Sequence, residues 1–234
     1  MISSRTIWQP INVARDLATK KVIKQLAHKF RFVYFGRVSQ EEARYQLLRG
    51  ATSSIKHSDN HYTVGSFRGY DVTLVERRDE LVFPGKTPRD YHWLIMQFDL
   101  KRVTLPHIFI EGNHHDEVFF ANLLVKHAQL HNANNLFEQT DKFFTQNFKV
   151  FIAAHIFSYI HNIITPEITS MIAHHFAQFD YELEEDRLLI YATNPKVITL
   201  NLAEEMMRVG IWLAERLDSA PQDDTSPHRT ILNP

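Results

Sequence analysis

The amino-acid sequence predicts an α+β fold: a mostly antiparallel sheet in the first half, flanked by helices from the second half and by an N-terminal amphipathic helix. Runs rich in aromatic and β-branched residues dominate residues 31–110. The connections between these runs are too short for helical crossovers, so neighbouring strands should be antiparallel. After residue 116 the apolar residues recur mainly at helical spacing. The 234 residues, of which 44% are hydrophobic, can build a substantial core.

The first predicted element is a basic amphipathic helix over residues 11–30. Lys20, Lys21 and Lys24 fall on a different side from the apolar residues, and through residue 38 the chain has eight Lys or Arg against one acid, Asp16. These three lysines are candidates for a surface that binds a protein partner or contacts a membrane peripherally, against the simpler alternative of a solvated helix face. The apolar residues of this helix are Ile11, Ala14, Ala18, Val22, Ile23, Leu26, Ala27 and Phe30.

Strands follow where β-branched and aromatic residues cluster, with Arg68-Gly69 as a tight turn between two of them. Between residues 38 and 56 the signals conflict, and we expect a short helical turn and then a strand. Pro106 indicates the first residue of a strand or an edge position, because proline cannot donate to a ladder. The predicted strands of this half are 31–36, 61–67, 70–77, 91–100 and 107–110.

The second half alternates helices with shorter strands. Thr165-Pro166-Glu167 is a helix start, with a capping hydroxyl, a proline that loses no donor and an acid in the first turn. Asn201 and Glu204 are expected to open the last helix. The predicted elements are a helix over 117–130, a strand over 148–153, a helix to residue 176, a hairpin over 179–184 and 188–192, and the last helix. We therefore expect an N-terminal helix (1–30), a single domain (31–217) and a disordered tail (218–234).

Composition excludes several function classes. There is no cysteine, so no disulfide or thiolate site exists, and the net charge of −1 argues against nucleic acid as a partner. The acidic run over 180–186 balances Arg68, Arg77 and Arg78, and exposed strand charges are the simpler account of both sets. None of the seven glycines forms a phosphate-binding loop, and no cofactor is predicted. With no transmembrane segment and no apolar leader, a cytoplasmic or membrane-peripheral location is expected.

Several runs resemble a group of uncharacterised bacterial hypothetical proteins of the Saccharibacteria type. They are Val64-Gly65 through Gly69-Tyr70-Asp71-Val72 to Glu76-Arg77, then 93–100, Leu105-Pro106-His107-Ile108-Phe109 and Trp212-Leu213-Ala214. The resemblance covers about residues 33–217. It implies no activity or ligand. Some of these relatives carry membrane segments before the domain, and they do not keep Gly-Asn-His after the Pro-His-Ile-Phe run.

The chain contains 14 histidines, and one histidine-rich stretch follows the strand at 107–110. Gly112-Asn113-His114, with His115-Asp116, resembles one block of the calcineurin-like metallophosphoesterases, and Asp59-Asn60-His61 matches another. The Gly-Asp-x-x-Asp and Gly-His-x-His blocks are absent. His107, His114, His115 and Asp116 are thus the candidate metal ligands of an alternative interpretation, a metal-dependent hydrolase, in which Asp59 and His61 could join them.

The leading hypothesis is a non-catalytic binding or scaffold domain that acts through a sheet face or the basic helix. It rests on the absence of any complete catalytic motif from the sequence. Metal-dependent hydrolysis and peripheral membrane attachment through residues 11–30 are the two alternatives. A divalent metal is implied only by the first of these alternatives, and the oligomeric state is left open.

Overall fold

The structure is a computed structural model that describes residues 9–37, 57–82, 84–85, 87–101, 104–139 and 141–219. The first half contains α1 (Gln9–Phe30), β1 (Val33–Gly36), β2 (Ser58–Phe67), β3 (Tyr70–Leu81), β4 (Arg89–Asp99) and β5 (Leu105–Gly112). The second half contains α2 (Glu117–Lys126), β6 (Leu130–Asn132), α3 (Lys142–Asn147), β7 (Phe148–Ala153), α4 (Ile160–Ile163), α5 (Pro166–His175), β8 (Asp180–Glu185), β9 (Arg187–Thr193) and α6 (Leu200–Ser219). The predicted elements between residues 38 and 56, and the predicted tail beyond Ser219, lie outside the described residues.

Within the described residues, nine strands form one sheet in the order β1-β2-β3-β4-β9-β8-β5-β7-β6. All of its pairings are antiparallel. The prediction of an α+β fold with an antiparallel sheet is therefore confirmed. The second half supplies helices and also four of the strands, two of which, β8 and β9, join β4 to β5.

Pro106 does not lie at an edge, because β5 is flanked by β8 and β7 in the middle of one half of the sheet. The proline is the second residue of the strand, where the register with β8 shifts between Leu105 and Ile108. Pairing with β7 begins only at Ile108. Of the two expected positions the edge is wrong, and the proline lies instead one residue after the start of the strand. Since the strand ladders are interrupted there, its missing N–H removes no regular bond.

The two faces of the sheet carry separate apolar clusters because side chains alternate along each strand. On the face covered by α1, α5 and α6, which we call the α6 face, Leu74 and Met96 pack with Leu213. On the opposite α2 face, Val75 and Ile95 belong to the cluster that includes Phe119. Functional side chains can thus be assigned to a face by their strand position.

The helices begin largely as their sequences indicate. The Thr165 hydroxyl accepts a hydrogen bond from the Ile168 amide at 3.4 Å, and Pro166 occupies the first turn of α5. In α6 the cap is Thr199, whose hydroxyl accepts from the Leu202 amide at 3.1 Å, and not Asn201. The cap lies two residues earlier than expected because Thr199 supplies the capping oxygen.

Helix α1 buries the apolar side that its sequence predicts. Ile23, Leu26 and Ala27 are buried in the cluster of the α6 face. Ala18 is exposed, and Thr19 is buried instead. The side chains of Ile11 and Ala14 lie outside the described part of the chain. No helix among the described residues is long and apolar enough to cross a membrane.

Candidate functional site

The three lysines singled out in the sequence share the outer side of α1. Lys20, Lys21 and Lys24 are exposed, and Leu17, which is 59% exposed, lies beside them. These residues, with Gln25 and His28, line an open groove along the helix. We call this surface the basic face. Among the described residues, no carboxylate forms an ion pair with Lys20, Lys21 or Lys24, although Lys24 Nζ lies 5.2 Å from the centre of the Tyr34 ring.

Other contacts hold α1 in place next to this face. Lys29 Nζ lies 2.6 Å from Glu204 Oε1 of α6. Arg15 Nη2 donates to the Pro195 carbonyl at 2.9 Å. Since the apolar side of the helix is also buried, α1 is fixed to the rest of the domain and holds the basic face in a defined orientation.

The histidine-rich stretch lies on the α2 face, at the end of β5 and the start of α2. His107 contacts Glu182, with Nε2 2.8 Å from Oε1. Asp116 is the N-cap of α2: its Oδ1 accepts from the Phe119 amide at 2.9 Å and from the Tyr91 hydroxyl at 3.0 Å. These two predicted ligands therefore have separate local roles in the structure.

His114 and His115 come together, with ring centres 4.4 Å apart, and Asp180 of β8 completes a group whose ligand atoms lie within 4.8 Å. The His115 side chain is buried, and its Nε2 lies 2.9 Å from Asp180 Oδ2 and 3.4 Å from Glu111 Oε2. Asp180 also accepts from the Gly112 amide at 2.7 Å and the Thr193 hydroxyl at 2.6 Å. His107 and Asp116 are not members of this group.

The charges of this buried group are unusual. Burial and the charge of Asp180 raise the pKa of Glu111 to about 8. Burial lowers the pKa of His115, but the charge and hydrogen bond of Asp180 outweigh it and raise that pKa to about 10. Burial opposes ionisation of Asp180 as well, yet His115 holds its pKa below the ordinary value. At neutral pH the group is best described as an ionic Asp180–His115 pair beside a protonated Glu111.

Sequence reasoning missed the acidic members of this group. The run over 180–186 was expected to be exposed, but Asp180 and Glu182 are 1% exposed and Arg77 is also buried. Arg77 is held by Asp59, whose two oxygens each lie 2.7 Å from a guanidinium nitrogen. The alternation of acids along β8 is a signal that these carboxylates share one face, but their burial depends on residues distant in the sequence, such as His107 beside Glu182 and His115 beside Asp180.

Asp59 and His61 point to opposite faces of the sheet. Asp59 pairs with Arg77, whereas His61 contacts Glu76, the neighbouring residue on β3. A register shift between Asn60 and Thr63, with φ of +57° at His61, changes the alternation of β2. The Asp-x-His block of the sequence therefore does not form one ligand pair. His61 instead joins Asp16 and Glu76 beneath α1.

Comparison with known proteins gives a likeness of fold. No protein-family model matches the chain, and no curated protein matches it. Among solved structures, the mycobacterial trehalose monomycolate transport factor A, TtfA, is similar, with a TM-score of 0.62 at 10% sequence identity. The match covers 88% of this chain and 98% of that chain. At this identity the likeness concerns the fold alone.

Proposed function

We propose that this protein is a non-catalytic binding domain that docks an acidic protein partner through the basic face of α1. The observation that carries the proposal is the exposure of Lys20, Lys21 and Lys24 without carboxylate partners among the described residues, on a helix whose other side is buried. Unneutralised charge on a fixed support attracts a complementary surface and sets the orientation of docking.

The burial pattern favours a protein partner over insertion into a lipid surface. An interfacial helix binds a bilayer by burying its apolar side among the lipids. In α1 that side, with Ile23 and Leu26, is packed in the cluster of the α6 face, and only Leu17 offers apolar surface next to the lysines. Membrane contact would then depend on charge, at about 1 kcal/mol for each lysine.

Two further points support a binding role. The sequence contains no complete catalytic motif, and the candidate ligands His107 and Asp116 contact other groups than His114 and His115. The structurally similar TtfA is described as a transport factor, which is compatible with a fold that binds other molecules.

The test compares two triple variants that change the net charge equally. In one, Lys20, Lys21 and Lys24 are each replaced by Glu; in the control, the exposed Lys101, Lys142 and Lys196 are replaced by Glu. Binding of poly-glutamate, as an acidic polypeptide probe, is measured by isothermal titration calorimetry at two salt concentrations. We expect the α1 variant to weaken binding about tenfold or more and the control to change it about twofold at most.

Several results would contradict the proposal. They are equal loss in both variants, no binding by the wild-type protein, and enzymatic turnover that depends on His107, His114 or Asp116. Binding to vesicles of phosphatidylserine and phosphatidylcholine but not to poly-glutamate, lost only in the α1 variant, would assign the basic face to a membrane instead.

A further inference from the structure

Three potential ligand atoms converge between α1 and the sheet, away from the histidine-rich stretch. His61 Nε2 lies 3.3 Å from Asp16 Oδ1 and 3.4 Å from Glu76 Oε2. All three atoms lie within 4.8 Å of one another. The side chains of His61 and Glu76 are 5% and 0% exposed, while that of Asp16 is 48% exposed. The cluster is thus buried at its base and accessible beside Asp16.

Two of these atoms lack the hydrogen bonds that buried polar atoms normally make. Neither His61 Nε2 nor Glu76 Oε2 has a hydrogen-bond partner among the described residues, although both are inaccessible to solvent. Buried polar groups in native proteins are nearly always paired, so each such atom requires an explanation. The two atoms lie 3.4 Å from each other, so a single cation bound by both would satisfy them together.

Neighbouring groups orient the two buried ligands. His61 Nδ1 lies 2.9 Å from the Tyr34 hydroxyl, which leaves Nε2 for the cluster. Glu76 Oε1 lies 2.6 Å from His92 Nε2, and His92 Nδ1 lies 2.6 Å from Arg15 Nη2. Because a guanidinium can only donate, His92 accepts at Nδ1 and donates from Nε2 to Glu76. Such supporting contacts around ligands are typical of metal sites.

We propose that Asp16, His61 and Glu76 bind a divalent transition-metal ion, for which zinc is the best fit. In a tetrahedral site with bonds of about 2.0–2.1 Å, neighbouring ligand atoms lie roughly 3.3 Å apart. The two N···O distances measured here match that spacing. One imidazole and two carboxylates suit zinc better than calcium, which takes six or more oxygen ligands. Three protein ligands leave the fourth position to water.

The charge of the cluster agrees with this assignment. Burial raises the pKa of Glu76, but the hydrogen bond from His92 and the charge of Arg78 outweigh burial and hold the pKa below its ordinary value. Glu76 is therefore an anion at neutral pH, close to the carboxylate of Asp16. A dication would neutralise both carboxylates and link α1 to β2 and β3. The competing explanation is a protonated His61 that forms ion pairs with both.

The experiment measures metal binding on the full, tag-free chain. The protein is dialysed against chelator and then against buffer, and zinc chloride is titrated by calorimetry, with thermal unfolding followed in parallel. We expect one equivalent of zinc and a rise in melting temperature. Asp16→Asn is the main variant because its side chain is half exposed and its loss should not prevent folding. It should weaken zinc binding at least about tenfold.

Two controls separate this site from other histidines and acids. Glu138→Gln removes an exposed carboxylate in another part of the chain, and His114→Gln alters the group with Asp180; both should bind zinc like the wild-type protein. His61→Gln should abolish the binding. Cobalt(II) as a second probe should give the intense visible absorption of a tetrahedral site. No zinc binding by the wild-type protein, or binding that Asp16→Asn leaves intact, would overturn the proposal and leave the protonated His61 as the explanation.

Discussion

At the residue scale, the buried side chains Glu111, His115 and Asp180 of the α2 face contain more acid than base. His115 lies between Asp180 and Glu111, and a single imidazolium cannot neutralise two buried carboxylates. Asp180 takes the charge because it also receives hydrogen bonds from the Gly112 amide and the Thr193 hydroxyl. Glu111 keeps its proton, because burial disfavours its charged form and a second buried anion would be repelled by Asp180.

The raised pKa of Glu111 predicts a specific dependence of stability on pH. With a pKa of about 8 in the folded state against 4.5 as the ordinary value, native Glu111 holds a proton that the unfolded chain has released. Between these two values, stability falls as pH rises, by up to about 1.4 kcal/mol per unit. Glu111→Gln mimics the protonated acid, so its advantage over the wild-type protein should be small at pH 5 and should grow towards pH 8.

Urea unfolding of both proteins between pH 5 and pH 9 measures this difference. The pKa of His115 is also raised in the folded state, so the stability that His115 contributes falls as pH rises above 6.5, the ordinary pKa of histidine. This contribution is present in both proteins. Glu138→Gln, at an exposed position, is the control and should show a difference that does not change with pH. A Glu111→Gln advantage that is constant from pH 5 to pH 9 would mean that Glu111 is ionised in the native state.

Sequence reasoning reached only part of the site. It singled out His114 and His115 because they are adjacent and follow a strand, and the structure brings both to Asp180. It could not find Asp180, which lies 65 residues away from His115 and meets it only because β8 pairs with β5. Nor could it separate Asp59 from His61, because the register shift in β2 depends on the pairing with β3.

At the element scale, the strands of the first half and the helix at Thr165 were predictable because their signals are local. The β-branched and aromatic residues of 70–77 and 91–100 are of the types enriched in strands, so these two runs favour strands from their composition. The position of a strand in the sheet is not local. The order in which β9 and β8 separate β4 from β5 follows from the packing of both faces. Sequence reasoning therefore could not decide whether Pro106 lies at the start of a strand or at an edge.

Helix α6 packs on the sheet through Gly210. An alanine there would improve intrinsic helix propensity by about 1 kcal/mol. However, its Cβ would lie 2.0 Å from Cε2 of Phe98, a fully buried residue of β4. We therefore expect Gly210→Ala to lower the free energy of unfolding by about 1–3 kcal/mol, measured by chemical denaturation.

Two comparisons test whether the loss comes from this contact. Arg208→Ala, on the exposed side of the same helix, should change stability by no more than about 0.5 kcal/mol. In a Phe98→Leu background, Gly210→Ala should be much less harmful, because the smaller side chain leaves room for the methyl group. A more stable Gly210→Ala protein would show that helix propensity outweighs the contact.

At the scale of the whole molecule, the two apolar clusters share the same strands. Leu94 and Met96 of β4 face α6, while Trp93 and Ile95 of the same strand belong to the cluster that includes Phe119 of α2. If the packing of one cluster is disrupted, β4 and β9 lose support, and the cluster on their other face becomes exposed to solvent as well. The domain should therefore unfold as one cooperative unit.

Truncation of a side chain on one face of the sheet should therefore lower the denaturant midpoint measured on the other face. Leu213→Ala in α6 removes buried volume from the α6 face and should destabilise the protein by about 2–5 kcal/mol.

With Trp8 and Trp212 replaced by Phe, fluorescence reports on Trp93 of the α2 face alone. We expect the denaturant midpoint of Trp93 fluorescence to fall together with that of far-ultraviolet circular dichroism. Leu124→Ala, at a position that is 40% exposed, should shift both midpoints only slightly. A Trp93 transition that stays in place while the dichroism midpoint falls would divide the sheet into two independently stable parts.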